Sequence, residues 1–178
     1  MSILKKRGTK GFTLIELLIV IAIIAILVAV VFVALDPATR FKDARDSVRA
    51  NDTAELLSAI KIDQVDNGGS YLTSVAALTA GNVYMIVNGA AMVAGCDDNN
   101  LSCDTTVTAD GSCADLSGLV TEGYIASLPV SPAGSITWDD GSGVADEGTG
   151  YTISISSTGV ATVRACESEN TTEISASR

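Results

Sequence analysis

The feature that most constrains this chain is an uninterrupted run of nineteen apolar residues, Leu17 to Leu35, with a lone carboxylate, Glu16, at its near edge. Counted from Phe12, the stretch would span roughly 36 Å as a helix, enough to cross a hydrocarbon core of about 30 Å. Core helices of soluble proteins rarely present apolar side chains on every face for so long. The run therefore predicts a membrane-spanning helix. A carboxylate inside such a span costs about 2.5–3.5 kcal/mol on insertion scales, which makes Glu16 a functional candidate in need of a partner.

Ahead of the run the chain reads MSILKKRGTKG, where Lys5, Lys6, Arg7 and Lys10 place four positive charges on one side. By the positive-inside rule that end stays cytoplasmic and the remainder is exported. The run is longer than the apolar core of a secretory signal, and no A-x-A-like site follows it. The whole chain has 11 basic and 21 acidic residues; the part after Gly11 keeps seven basic residues against the same 21 acidic ones, a net of −14. Beyond Lys61 the basic residues are Arg164 and Arg178 alone. So acidic a face argues against a nucleic-acid backbone or an anionic bilayer surface as a direct partner.

After Leu35 the sequence DPATRFKDARDSVRANDTAELLSAIKIDQVDNGG predicts an amphipathic continuation of the apolar helix. Phe41, Ala44, Val48, Ala54, Leu57 and Ile60 fall near a 3.6-residue stripe, with Lys42, Asp43, Asp46, Arg49, Asp52 and Glu55 on the other faces. Asp36 with Arg40, and Lys42 with Asp46, have the spacing of weak i,i+4 ion pairs. Pro37 removes a backbone donor at the junction and predicts a kink or loosened turn. Asn67-Gly68-Gly69 predicts the stop, giving a helix of about 54 residues and roughly 80 Å in all.

Tyr71 to Arg178 reads as a β-rich exported domain. YTISIS (Tyr151–Ser156) and VATVRA (Val160–Ala165), joined through Ser157-Thr158-Gly159, predict a hairpin. Further strands are expected at Ser135–Trp138 and Tyr84–Val87, and a short capped helix within Asp115–Tyr124. Four cysteines, Cys96, Cys103, Cys113 and Cys166, all follow the span, and an even count on an exported face predicts two disulfides with three possible connectivities. The preferred pairing is Cys96–Cys103 with Cys113–Cys166. Their spacings of 7, 10 and 53 residues, in a chain without histidine, do not suit structural zinc.

Gly11-Phe12-Thr13-Leu14-Ile15-Glu16, behind a short basic leader and ahead of a long apolar helix, resembles the processing motif of type IV pilins and pseudopilins. The resemblance implies removal of residues 1–11 by a membrane-embedded prepilin peptidase that cuts between Gly11 and Phe12. It implies N-methylation of the new Phe12 amine and a role for Glu16 in filament assembly. The implied fold is α+β and lollipop-like: an apolar helix over residues 12–35, an amphipathic continuation over 36–67, and a small antiparallel sheet domain over 68–178. The implied partners are other copies of the chain, the peptidase, a pilus assembly platform with its ATPase, and the membrane before assembly. Localisation follows as single-pass in the cytoplasmic membrane, then extracellular in a surface pilus.

Physical chemistry supplies a reason for each motif residue. Glycine before the scissile bond offers little bulk in a protease cleft. Cleavage creates an amine four residues from Glu16, within reach in one helical turn and near the positive end of the helix dipole. In a growing filament Glu16 of an incoming copy can instead meet the Phe12 amine of a docked one. Lipid is as apolar as leucine, whereas in water the helices bury one another, so the same residues serve storage and assembly. The aspartate-proline-tryptophan-glycine stretch of major secretion pseudopilins is absent, the nearest segment being LPVSPAGSITW, which sets the chain apart from that branch. One feature departs from the family: many type IVa pilins carry a proline within the apolar half of the helix, whereas the one nearby here is Pro37.

Two other constellations bear on function. WDDGSGVADEGTGY supplies Asp139, Asp140, Asp146 and Glu147, hard oxygen ligands that suit calcium, and CDDNNLSCD supplies Asp97, Asp98, Asn99, Asn100 and Asp104. A solvated acidic turn is the simpler reading of each. Without histidine there is no Ser–His or Cys–His pair, and no phosphate-binding glycine loop appears, so catalysis is not expected. Two rival readings remain: a type II secretion pseudopilin, and a single-pass anchored binding domain that never polymerises.

Overall fold

The computed structural model describes residues 11–89, 100–109, 112–139 and 148–178. The chain divides between Arg40 and Phe41 into two compact units. The first consists mainly of α1 (Leu14–Leu35), in which no residue is buried. Among the described residues it belongs to the one helical stretch long and apolar enough to cross a membrane.

The expected single helix is interrupted at Asp36, which adopts a left-handed conformation (φ 37°, ψ 70°) between α1 and α2 (Pro37–Asp66). Proline disfavours the helical conformation in the residue before it, so the break falls one position ahead of Pro37. Asp36 also serves α2, accepting a hydrogen bond from Thr39 Oγ1 at 2.7 Å. At the other end α2 stops where expected, with Gly68 and Gly69 at positive φ and the Gly69 amide donating to Gln64 O at 2.7 Å.

The second unit packs α2 from Phe41 onward across a sheet ordered β2-β1-β3-β4-β5. Its strands are β1 (Val83–Val87), β2 (Ala114–Asp115), β3 (Tyr151–Ile155), β4 (Ala161–Ala165) and β5 (Ser175–Ser177). The expected hairpin is β3–β4, and the expected strand at Tyr84–Val87 is β1. The sheet is mixed rather than purely antiparallel, because β2 runs parallel to β1. Its three-residue edge strand β5 carries no β-branched or aromatic residue and left no strand signal.

Tyr84, Ile153, Val163 and Ala176 are cross-strand partners in one row. That face joins Leu56, Leu57, Ala59 and Ile60 of α2 in the main core, with Leu116 before and Leu119 within the short helix α3 (Ser117–Thr121). Met85, Val87, Trp138, Cys113 and Cys166 form a smaller cluster on the other face. Only glycine fits at position 150 beneath it: φ is +75°, and a Cβ would come 2.7 Å from the Trp138 ring. Ser135–Trp138 is not a strand. Its polar groups go to one carboxylate, with the Ser135 amide at 2.9 Å from Glu167 Oε1 and Trp138 Nε1 at 3.0 Å from Oε2.

The disulfide pairing also differs from expectation. Cys103 bonds Cys166, which rules out both preferred bridges; Cys113 is likewise disulfide-bonded, and Cys96 lies outside the described residues. The chain leaving Cys103 runs beside the segment that follows β4, with the Asp104 amide donating to Cys166 O at 2.6 Å. Closing a loop across a separation of 63 residues restricts the unfolded chain by on the order of 4 kcal/mol.

The predicted stripe holds in the upper half of α2, where Leu57 and Ile60 are buried, and fails in the lower half. Phe41, Ala44, Val48 and Ala54 are exposed, whereas Asp46, Arg49, Thr53, Leu56 and Asp63 are buried. Arg49 has no exposed surface. Its guanidinium donates to Ser131 Oγ at 3.1 Å, Pro132 O at 2.9 Å, Asp46 Oδ1 at 2.9 Å and Glu169 Oε1 at 2.9 Å, with Glu167 at 3.6 Å. Asp46 in turn accepts from the backbone amides of Glu169 and Asn170, at 3.1 and 2.9 Å, in place of the expected pairing with Lys42. Arg45 clasps Glu169 with two hydrogen bonds. A buried ion is tolerated only when every donor finds a partner, and here the partners come from three separate segments.

Arg45, and after it Arg49, hold the Glu169 carboxyl well below its ordinary value of 4.5, at about 2. A depressed acid contributes stability that is whole above its unfolded pKa and is lost as pH falls through the folded one. The thermal midpoint of the full chain in detergent is therefore expected to decline between pH 4.5 and about 2, with a shallower slope in Glu169→Gln. Arg49→Met is expected to cost about 3–5 kcal/mol by urea titration, because it strands buried carboxylates without a counter-charge.

Candidate functional site

The motif residues lie at the start of the first unit. Gly11 and Phe12 precede the helix, and nothing lies within 4 Å of where a Cβ on Gly11 would point. Thr13 is the N-cap of α1, in extended conformation at φ −80° and ψ 153°. Its hydroxyl accepts the Glu16 amide at 3.3 Å, while Glu16 Oε2 accepts the Thr13 amide and the Thr13 hydroxyl, both at 2.8 Å. This is a complete capping box: two amides that the first turn cannot satisfy are satisfied reciprocally.

Sequence reasoning gave Glu16 an amine as partner and missed Thr13, although T-L-I-E has the capping-box spacing. The box starts the helix immediately after the Gly11–Phe12 peptide and leaves that peptide outside it. An ionised carboxylate has about four acceptor positions, so the cap still leaves Glu16 able to meet an amine.

From Phe12 to Leu35 no side chain is covered by the chain itself; Phe12 is 89% exposed and Phe32 66%. Leu27, Val28, Val31, Phe32 and Leu35 line one wholly apolar groove along α1. Such a surface is unstable in water and must be taken up by lipid or by other apolar helices.

The residues singled out for calcium are not gathered by the described structure. Asp139 donates its amide to Gly148 O at 3.1 Å, while Asp140, Asp146 and Glu147 lie outside the described residues. In the second acidic loop Asp97, Asp98 and Asn99 also lie outside them; Asp104 accepts from Ser168. No group of three or more Cys, Asp or Glu suited to a metal occurs among the described residues.

Known proteins give the motif its context. Residues 6–32 match the family model described as the prokaryotic N-terminal methylation motif, a stretch that contains Gly11, Phe12, Thr13 and Glu16. The type IV wide pilus major component PilA4 of Thermus thermophilus is 51% identical to this chain over 78 residues, a stretch covering 40% of this chain and 53% of that relative. The chain thus spans about half the length of the curated relative it matches. No solved structure matches it. The chain thus carries the N-terminal methylation signature and, over 40% of its length, is similar to a structural component of a type IV pilus.

Replacing the cap, as in Thr13→Ala, is expected to cost the first turn of α1 about 1 kcal/mol. Amide hydrogen exchange on the chain in micelles checks this: Leu14 to Glu16 exchange faster, while amides beyond Val20 are unchanged.

Proposed function

We propose that this chain is a type IV pilus subunit, stored in the membrane by α1 and polymerised through it into a surface filament. The leader 1–11 is removed by prepilin peptidase between Gly11 and Phe12, and the Phe12 amine is methylated. Glu16 of an arriving copy meets the Phe12 amine of a copy already docked, which sets their axial register. The N-terminus begins in the cytoplasm and the acidic domain outside, ending on the cell surface. Assembly is driven by a membrane platform with its ATPase, since moving α1 out of lipid is uphill.

The observation that carries this reading is the bare surface of α1. The second unit is closed around its own core, yet every large apolar side chain of α1 is exposed, a state that only lipid or neighbouring helices relieve. Lipid alone would suit a plain anchor as well; the N-terminal methylation motif and the pilus-forming relative favour assembly. The same relative favours a pilus over a secretion pseudopilin.

Intact mass with N-terminal fragmentation, on material sheared from cells, tests the proposal. The expected product is a chain beginning at methylated Phe12. A full-length chain confined to membranes overturns it and leaves the anchored domain. In the same assay Glu16→Ala is expected to be cut normally but to vanish from the sheared fraction.

A further inference from the structure

The side of α2 turned away from the sheet carries apolar side chains that its own domain does not use. Phe41, Val48, Ile62 and Val65 are 66, 46, 50 and 76% exposed, and Ala44 is exposed between them. Positions 41, 44 and 48, then 62 and 65, follow the alternating three-and-four spacing of a heptad seam. Exposed Asn51, Glu55 and Ser58 occupy the same spacing in the middle. The seam is therefore two apolar patches separated by a polar stretch. The helix cannot roll to bury them, because Arg49 and Asp46 fix its opposite side through hydrogen bonds to Ser131, Pro132, Glu169 and Asn170 across the domain.

A seam with this spacing fits another helix, and the two patches suggest their own offset. Phe41 and Ile62 are separated by 21 positions, three heptads, or roughly 31 Å along the axis. We propose that the seam is covered by α2 of a second copy of this chain, parallel and displaced by three heptads. Phe41 and Ala44 of one copy then seat against Ile62 and Val65 of the next.

Charge favours the displaced register. Paired without offset, Glu55 meets Glu55 in the middle of the seam, a like-charge contact. Displaced by 21 positions, Glu55 no longer faces its own copy, and Asp66 comes level with position 45, in the stretch that holds Arg40 and Lys42 alongside Asp43 and Asp46. The displaced contact is also heterologous: each copy uses its lower patch toward one neighbour and its upper patch toward another. Such an interface does not close on itself and propagates as a fibre. The inference rests on the pilus-subunit reading and adds a specific contact outside the apolar helix.

The test uses the full chain in cells that assemble it, with Phe41→Cys and Ile62→Cys made singly and together. The described native cysteines are already bonded, so the new thiols report contacts between copies. After mild oxidation of sheared filaments, the double variant is expected to give a ladder of dimers and higher multimers on a non-reducing gel, and each single variant a monomer. Dimers from Phe41→Cys alone overturn the offset. Intact filaments without crosslinks in the double variant overturn the contact and leave lipid or solvent over the seam. Phe41→Glu is expected to lose filaments, and Phe41→Glu with Ile62→Lys to regain them; wild-type yield from Phe41→Glu also overturns the contact. Failure of the pilus reading itself looks different, since wild-type cells then yield no chain beginning at Phe12.

Discussion

The guanidinium of Arg49 is the interaction on which the domain depends. A charge with no exposed surface would be ruinous in an apolar cavity, and it persists because carboxylates, a carbonyl and a hydroxyl from distant segments converge on it. Those segments follow β4 or precede β3 in the chain, and neither belongs to the sheet. The ion therefore ties to α2 stretches that strand pairing leaves free. It also decides which side of α2 meets the sheet, and so which side remains outward. Core packing by Leu56 and Ile60 settles the upper half of the helix; the charge cluster settles the lower half.

The parts of the fold legible in the sequence are those whose cause is local. The apolar run, the stop at Asn67-Gly68-Gly69, the β3–β4 hairpin and the short helix near Ser117 each follow from neighbouring residues and turn chemistry. The face that the lower half of α2 buries was not legible. Periodicity counts Asp46 and Arg49 as polar and assigns them to water, but their partners lie about 120 positions further on. Connectivity failed for a similar reason: Cys103 meets Cys166 because two segments run side by side, which spacing alone does not encode. At the motif, local spacing did contain the answer. Thr13 stands three residues before Glu16, the spacing of a capping box, so the use of this carboxylate as a cap is encoded locally.

The two units divide the physical work. The domain satisfies its polar groups internally, with Thr152 Oγ1 the one buried side-chain polar atom among the described residues that lacks a partner. The first unit satisfies its backbone through the helix and its capping box, and leaves its entire apolar surface for the surroundings. One chain thus contains a part stable in water and a part that is not.

Asp36 gives that division a further meaning. Helix formation is cooperative because each residue added to a wound segment inherits the cost already met at its nucleus. Asp36 leaves helical geometry and its side chain accepts from Thr39 in the first turn of α2, so α2 has a beginning of its own. Fraying or stretching in α1 meets a boundary there, since unwinding that travels residue by residue has no wound neighbour to pass to. The helix packed on the domain can keep its turns whatever surrounds the apolar one. A left-handed aspartate thereby acts as a firebreak between a segment left bare to its surroundings and one held by its own domain.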